Sequence, residues 1–138
     1  MIVAVCVEER GGTMFNGRRL SRDRVQVSDL LALCGGRKLW ASPYSAALFG
    51  DRAEVAEDPL APAGPGEVCF LEGQPIAPAL DQVESIVLYR WGRAYPADTY
   101  LDVDPAAEGF ALAEQTEFPG SSHERICREI YERRADHG

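Results

Sequence analysis

A chain of 138 residues makes one domain, long enough to bury roughly 68% of the surface that its unfolded form exposes. At 46% hydrophobic and 26% charged it is too apolar for intrinsic disorder, and its apolar runs are too short for a membrane span. The net charge of −8 is unevenly spread: residues 1–50 carry seven basic and four acidic groups, residues 51–117 three and fourteen, and residues 118–138 four of each. Only the run Arg18, Arg19, Arg22, Arg24 can offset phosphate repulsion, which speaks against duplex nucleic acid as a partner.

The opening MIVAVCV is too short for a signal peptide and no basic segment precedes it, which implies a cytoplasmic location. Cys6, Cys34, Cys69 and Cys127 are too scattered for a CxxC pair or a disulfide framework, so reduced and mostly buried thiols are expected. Residues 2–7 (IVAVCV) are continuously apolar and β-branched, as in a strand covered on both faces. From Gly11 to Ser28 the chain is polar, arginine-rich and without period, and reads as a long loop. Ser28-Asp29 offers an N-cap before LLALC, and Gly35-Gly36 stops that helix after about two turns.

KLWA (38–41) is a short strand, and Ser42-Pro43 starts the helix PYSAALF. Residues 50–66 form a surface excursion with at most a short strand around Val55. EVCFL (67–71) is the next buried strand, IAPALDQV a weak helix, and ESIVLYRW (84–91) the strongest strand in the chain. FALAEQ (110–115) alternates as a half-buried strand. HERICREIYERR (123–134) is ambiguous, since Ile126 and Ile130 suit a helix while strict alternation suits an edge strand. The order predicts a single-domain α/β fold over residues 1–138: a mixed, mostly parallel sheet flanked by helices with an antiparallel end.

In this order the pieces resemble a shortened dihydrofolate reductase: MIVAVCV with MFN (14–16), Ser28-Asp29-Leu30, KLWASPYSAALFG (38–50), VCFLEG (68–73), ESIVLYRW, DTYLDVDP (98–105) and REIYERR (128–134). The resemblance implies a terminal strand. It implies that Asp29 stands where the family's acidic residue binds the pterin, and that Arg90 neighbours it, so an Asp29–Arg90 ion pair or a catalytic pair is expected. It also implies that dinucleotide phosphates meet the turn Ser42-Pro43-Tyr44-Ser45 and the pair Glu72-Gly73. Ser42, Ser45 and Gly73 are therefore candidate ligand contacts. The family's arginine is missing from that turn, and a carboxylate at Glu72 repels phosphate, so NADPH is disfavoured and no cofactor is expected.

Arg18, Arg19, Arg22 and Arg24 lie where a lid over the substrate would be, and either pair among the acidic residues or hold a small anionic or nucleotide-like ligand. A second resemblance, carried by MFNGRRLSRDR, LYRWGRAYPADTY and FPGSSHE, is to short bacterial proteins labelled ribonuclease Z. Two-zinc phosphodiesterases need a histidine-rich cluster, and this chain has only His123 and His137, so no metal is expected. Ser121, Ser122, His123 and Glu124 hint at a hydrolase, but no GxSxG elbow is present and no aspartate is spaced to orient the histidine. The function expected is a small-molecule-binding or structural domain that has lost NADPH-dependent folate reduction. The alternatives are a divergent nicotinamide-dependent reductase and a homodimer-forming interaction module.

Overall fold

The computed structural model describes residues 1–134; His137 lies outside the described residues. Ten strands are described in chain order: β1 (Ile2–Val7), β2 (Gly12–Phe15), β3 (Arg18–Arg19), β4 (Leu39–Ala41), β5 (Glu54–Val55), β6 (Val68–Leu71), β7 (Ser85–Arg90), β8 (Thr99–Tyr100), β9 (Phe110–Phe118) and β10 (Ile126–Arg133). Two helices accompany them, α1 (Arg24–Cys34) and the single turn α2 (Pro43–Ala46). The main sheet runs β5-β4-β6-β1-β7-β10-β9. Its first five strands are parallel, and β10 and β9 close it antiparallel. The α/β fold expected from the strand and helix order is the one formed. Among the described residues no helix is long and apolar enough to cross a membrane.

The central strands are apolar on both sides because both sides are covered. Val3, Val5 and Val7 of β1 join Leu71, Ile86, Leu88 and Phe110 in one core, while Ala4 joins Leu30, Phe70, Val87, Tyr89 and Trp91 in the other. Only the second core lies under a full helix, α1, whose Leu30 and Cys34 are buried at a spacing of one turn. The first core is closed by Leu60, Ala63, Val103 and a 3₁₀ turn at Ala77–Gln82, where a weak helix was expected. Pro78 denies that segment a backbone donor, so it winds tightly and briefly.

Three other expectations are corrected. Helix α1 starts at Arg24, since Asp23, not Ser28-Asp29, is its N-cap and accepts from the Val25 and Gln26 N–H groups at 2.9 and 3.3 Å. Asp29 therefore sits inside the helix. The long loop contains a hairpin, β2 and β3, turned by Asn16-Gly17 with φ of +54° and +74°. Positive φ at both central residues is the two-residue turn that an Asn-Gly pair favours. Strand β9 is exposed from residue 111 to 117 and buries only Phe110, because it is an edge strand with β10 as its sole partner. The ambiguous terminal segment is a strand, β10, held between β7 and β9.

Gly92 follows β7 with φ +74°, and a Cβ built there would stand 2.9 Å from the Arg125 carbonyl oxygen. No rotamer relieves a clash with backbone. Gly92→Ala should therefore cost about 1–3 kcal/mol, read as a lower urea midpoint with an unchanged slope.

Candidate functional site

The parallel strands β1, β4, β6 and β7 all end at one edge of the sheet, where open α/β sheets place their ligands. The residues just past these ends are Glu8, Ser42, Glu72 and Trp91. Glu8 is 1% exposed; its carboxylate accepts from the Arg10 and Gly12 N–H groups at 2.8 Å and from Tyr95 N–H at 3.3 Å. Burial works against the Glu8 anion, but those three N–H groups outweigh it and hold its pKa below the ordinary value. The carboxylate thus ties the turn after β1 to the segment after β7.

The sequence-predicted contacts Arg19, Ser42, Ser45 and Gly73 do converge, around Glu72. Arg19 donates from Nε and Nη2 to the two Glu72 oxygens at 2.9 and 3.0 Å, and Ser45 Oγ donates to Oε1 at 2.8 Å. Ser42 Oγ caps α2 by accepting from Ser45 N–H. The Arg19 guanidinium lies 4.3 Å from the centre of the Tyr44 ring. Its bond to Glu72 raises its pKa despite burial. At Gly73 a built Cβ would stand 2.8 Å from Met14 Cγ, so β2 of the hairpin lies directly over this turn. Beneath it, Cys6 has its thiol pushed well up by burial, with Glu72 adding to the effect.

Asp29 and Arg90 do not meet. Strand alternation turns Tyr89, not Arg90, toward α1, and Tyr89 donates to Asp29 Oδ2 at 2.7 Å. Arg128, directly opposite Tyr89 on β10, donates from Nη1 to both Asp29 oxygens at 2.8 and 2.9 Å and reaches Glu114 through Nη2. Burial opposes the Arg128 cation, but Asp29 and Glu114 outweigh it and raise its pKa. Burial also pushes the Tyr89 phenol far up, Asp29 adding to it. Arg90 lies on the other face and donates to Glu129 at 2.8 Å, and Tyr131 donates to the same oxygen. The expected Asp29–Arg90 pair is off by one residue, and one residue in a strand is the other side of the sheet.

Of the remaining arginines, Arg18 is exposed on β3, while Arg22 and Arg24 line an open groove of about 760 Å³ with Val27, Ser28, Ser121 and Ser122. Among the described residues none of the three forms an ion pair. The floor of this region is Asp23, whose side chain is wholly buried and accepts from the backbone N–H groups of Ser121 and Ser122 at 3.0 and 2.8 Å and from His123 Nδ1 at 3.0 Å. Burial pushes the Asp23 carboxyl up, but the Ser121 and Ser122 N–H groups, the His123 ring and the Gln26 N–H outweigh it and hold it well below the usual carboxylate range. The expectation that no aspartate orients His123 is therefore wrong: the partner stands 100 positions away in the chain. Sequence spacing could not show that contact, although Asp23 immediately before a helical pattern was a visible capping signal.

All four cysteines are free, Cys34 and Cys69 buried and Cys6 and Cys127 partly so. Burial pushes the Cys69 thiol up to about 12. Among the described residues no three His, Cys, Asp or Glu side chains stand together as a metal cluster.

No protein-family model matches this sequence, and no curated protein matches it. The fold does match: the domain has a dihydrofolate reductase-like fold. A solved dihydrofolate reductase from Enterococcus faecalis, complexed with NADP(H) and RAB-propyl, is similar with a TM-score of 0.67. The match covers 98% of this chain and 97% of that one at 10% identity.

Proposed function

We propose that this domain keeps a reductase-like scaffold without NADPH-dependent folate reduction, and takes a small anionic ligand at the groove beside Arg22 and Arg24. The observation that carries this reading is Glu72. By the resemblance, its place between the α2 turn and Gly73 is where dinucleotide phosphates would lie. Its carboxylate already occupies the Arg19 guanidinium and the Ser45 hydroxyl, and it repels a phosphate brought to the same donors. Met14 packs where a backbone free to approach a pyrophosphate would be required. The residues present do not fit the cofactor. The acid expected for a pterin, Asp29, likewise has both oxygens taken by Arg128, whose guanidinium edge supplies the amidine-like donors that a pterin would bring.

Zinc phosphodiesterase chemistry is not part of the reading, since both ring nitrogens of His123 are engaged by Asp23 and by hydroxyls. Four free thiols agree with a reducing, cytoplasmic setting.

NADPH fluorescence titration and a thermal-shift panel of NADPH, NADH, folates and nucleoside phosphates test the proposal. No saturable NADPH binding below about 100 µM is expected, and an affinity tighter than about 10 µM would overturn the reading. A nucleoside phosphate or similar anion should raise the melting temperature of the parent protein, and that rise should vanish in Arg22→Ala/Arg24→Ala.

A further inference from the structure

The three segments MFNGRRLSRDR, LYRWGRAYPADTY and FPGSSHE, far apart in the chain, meet at the imidazole of His123. Asp23 Oδ2 lies 3.0 Å from Nδ1, and Ser21 Oγ lies 3.0 Å from Nε2 on the opposite side of the same ring. The tautomer follows from Asp23. A carboxylate accepts and cannot donate, so the Nδ1 proton points to Asp23, and in the neutral imidazole Nε2 is left with the lone pair that accepts from Ser21. Trp91 stacks on the ring with centroids 4.5 Å apart and planes 18° from parallel, which keeps the imidazole from turning.

Exposure is graded along this chain of bonds. The Asp23 side chain is fully buried and that of His123 is 2% exposed, while Ser21 is half-buried, so Ser21 is the least buried member of the series. Asp23 is further pinned by its contacts with the Ser121–His123 loop, and a Cβ on Gly120 would collide with its carboxylate. Hydroxyl, imidazole and buried carboxylate in series are the groups that nucleophilic acyl transfer requires.

We propose that Ser21 is a nucleophile, activated by His123 and oriented through it by Asp23, and that this site hydrolyses carboxylic esters bearing an anionic group. Ser21 Oγ adds to the ester carbonyl carbon as its proton passes to Nε2. The alcohol then leaves with that proton, and the acyl group stays on Ser21. Water gives a proton to Nε2 and adds to the acyl carbon, and Ser21 departs with the proton, releasing the acid. The anionic preference comes from the exposed guanidiniums of Arg18 and Arg22, which flank Ser21 in sequence and form no ion pair among the described residues. Tyr95 OH also reaches Nε2, at 3.1 Å, and competes with Ser21 for its single lone pair. The proposal is independent of whether NADPH binds.

The test uses the full chain with p-nitrophenyl acetate, mono-p-nitrophenyl succinate and a fluorophosphonate probe. One phosphonate adduct is expected, at Ser21 by peptide mass spectrometry, and it should persist in Tyr95→Phe. Ser21→Ala, which removes one half-buried hydroxyl, should keep the parent melting curve and lower ester hydrolysis by about 100-fold or more. The succinate ester should be the better substrate in kcat/KM, and Arg22→Ala should remove that preference without blocking the adduct. Absence of an adduct, an adduct at Tyr95 or a cysteine, or a Ser21→Ala protein that cleaves both esters at the parent rate would each overturn the proposal.

Discussion

Replacing Asp23 with alanine should lower the unfolding free energy by about 3–5 kcal/mol. The carboxylate is a buried charge matched on every side: it caps α1, accepts two backbone N–H groups from the loop before β10, and holds the His123 ring. Truncation leaves those buried donors without an acceptor, and each unmet donor costs about 1–3 kcal/mol before relaxation. The effect has a definite pH dependence. In the folded protein the Asp23 carboxyl sits well below its ordinary 3.8. Its contribution is therefore complete above about pH 4 and is lost as the pH falls through the lowered folded value. Urea midpoints for parent and Asp23→Ala should differ fully at about pH 7 and draw together below about pH 3. A gap that stays constant down to about pH 2 would show that the carboxylate charge is not what the loop and helix recognise. Glu8, also lowered in the fold by its backbone donors, adds to acid sensitivity over the same direction of pH.

Asp29 should couple to Arg128 and not to Arg90. The Asp29 and Arg128 side chains are 21% and 13% exposed, between a surface pair and a buried one. Arg128→Met should therefore cost about 2–3 kcal/mol, and its coupling with Asp29→Asn in a double-mutant cycle should be about 1–2 kcal/mol. The bond from Tyr89 and the second bond from Arg128 to Glu114 limit the loss when either partner is removed. The corresponding cycle between Asp29 and Arg90 should be additive to within about 0.5 kcal/mol, since Arg90 pairs with Glu129 across the sheet. Coupling of Asp29 to Arg90 with none to Arg128 would mean that the registers of β7 and β10 are both wrong by one residue.

That register marks where local reading stopped. The runs IVAVCV, VCFL and IVLY are apolar at every position, and such runs are stable only with cover on both faces, so a central parallel sheet was legible. Ser42-Pro43 and Gly35 likewise marked helix ends through steric and hydrogen-bonding rules that act within four residues. Asn16-Gly17 carried an equally local turn signal that the arginine-rich composition around it obscured. Strand β9 misled the other way: alternation suggested a half-buried strand, but what covers a strand depends on which neighbours it finds.

Ser45 and Gly73 could be proposed as phosphate contacts from the resemblance, and Arg19 separately as part of an anion-holding arginine run; that Arg19 and Ser45 meet at the chain's own Glu72 could not. A carboxylate and a phosphate ask for the same donors, and only the folded distances decide which one has them. The amino-acid sequence by itself determined the strand core, the start of α2 and the end of α1, because these depend on residue type and near neighbours. Tertiary structure alone decided that Asp29 faces Tyr89 and Arg128, and that Ser21, Asp23 and His123 share one imidazole. Those contacts join residues roughly 60 to 100 positions apart, and a single-residue shift in strand register reverses the face each side chain meets.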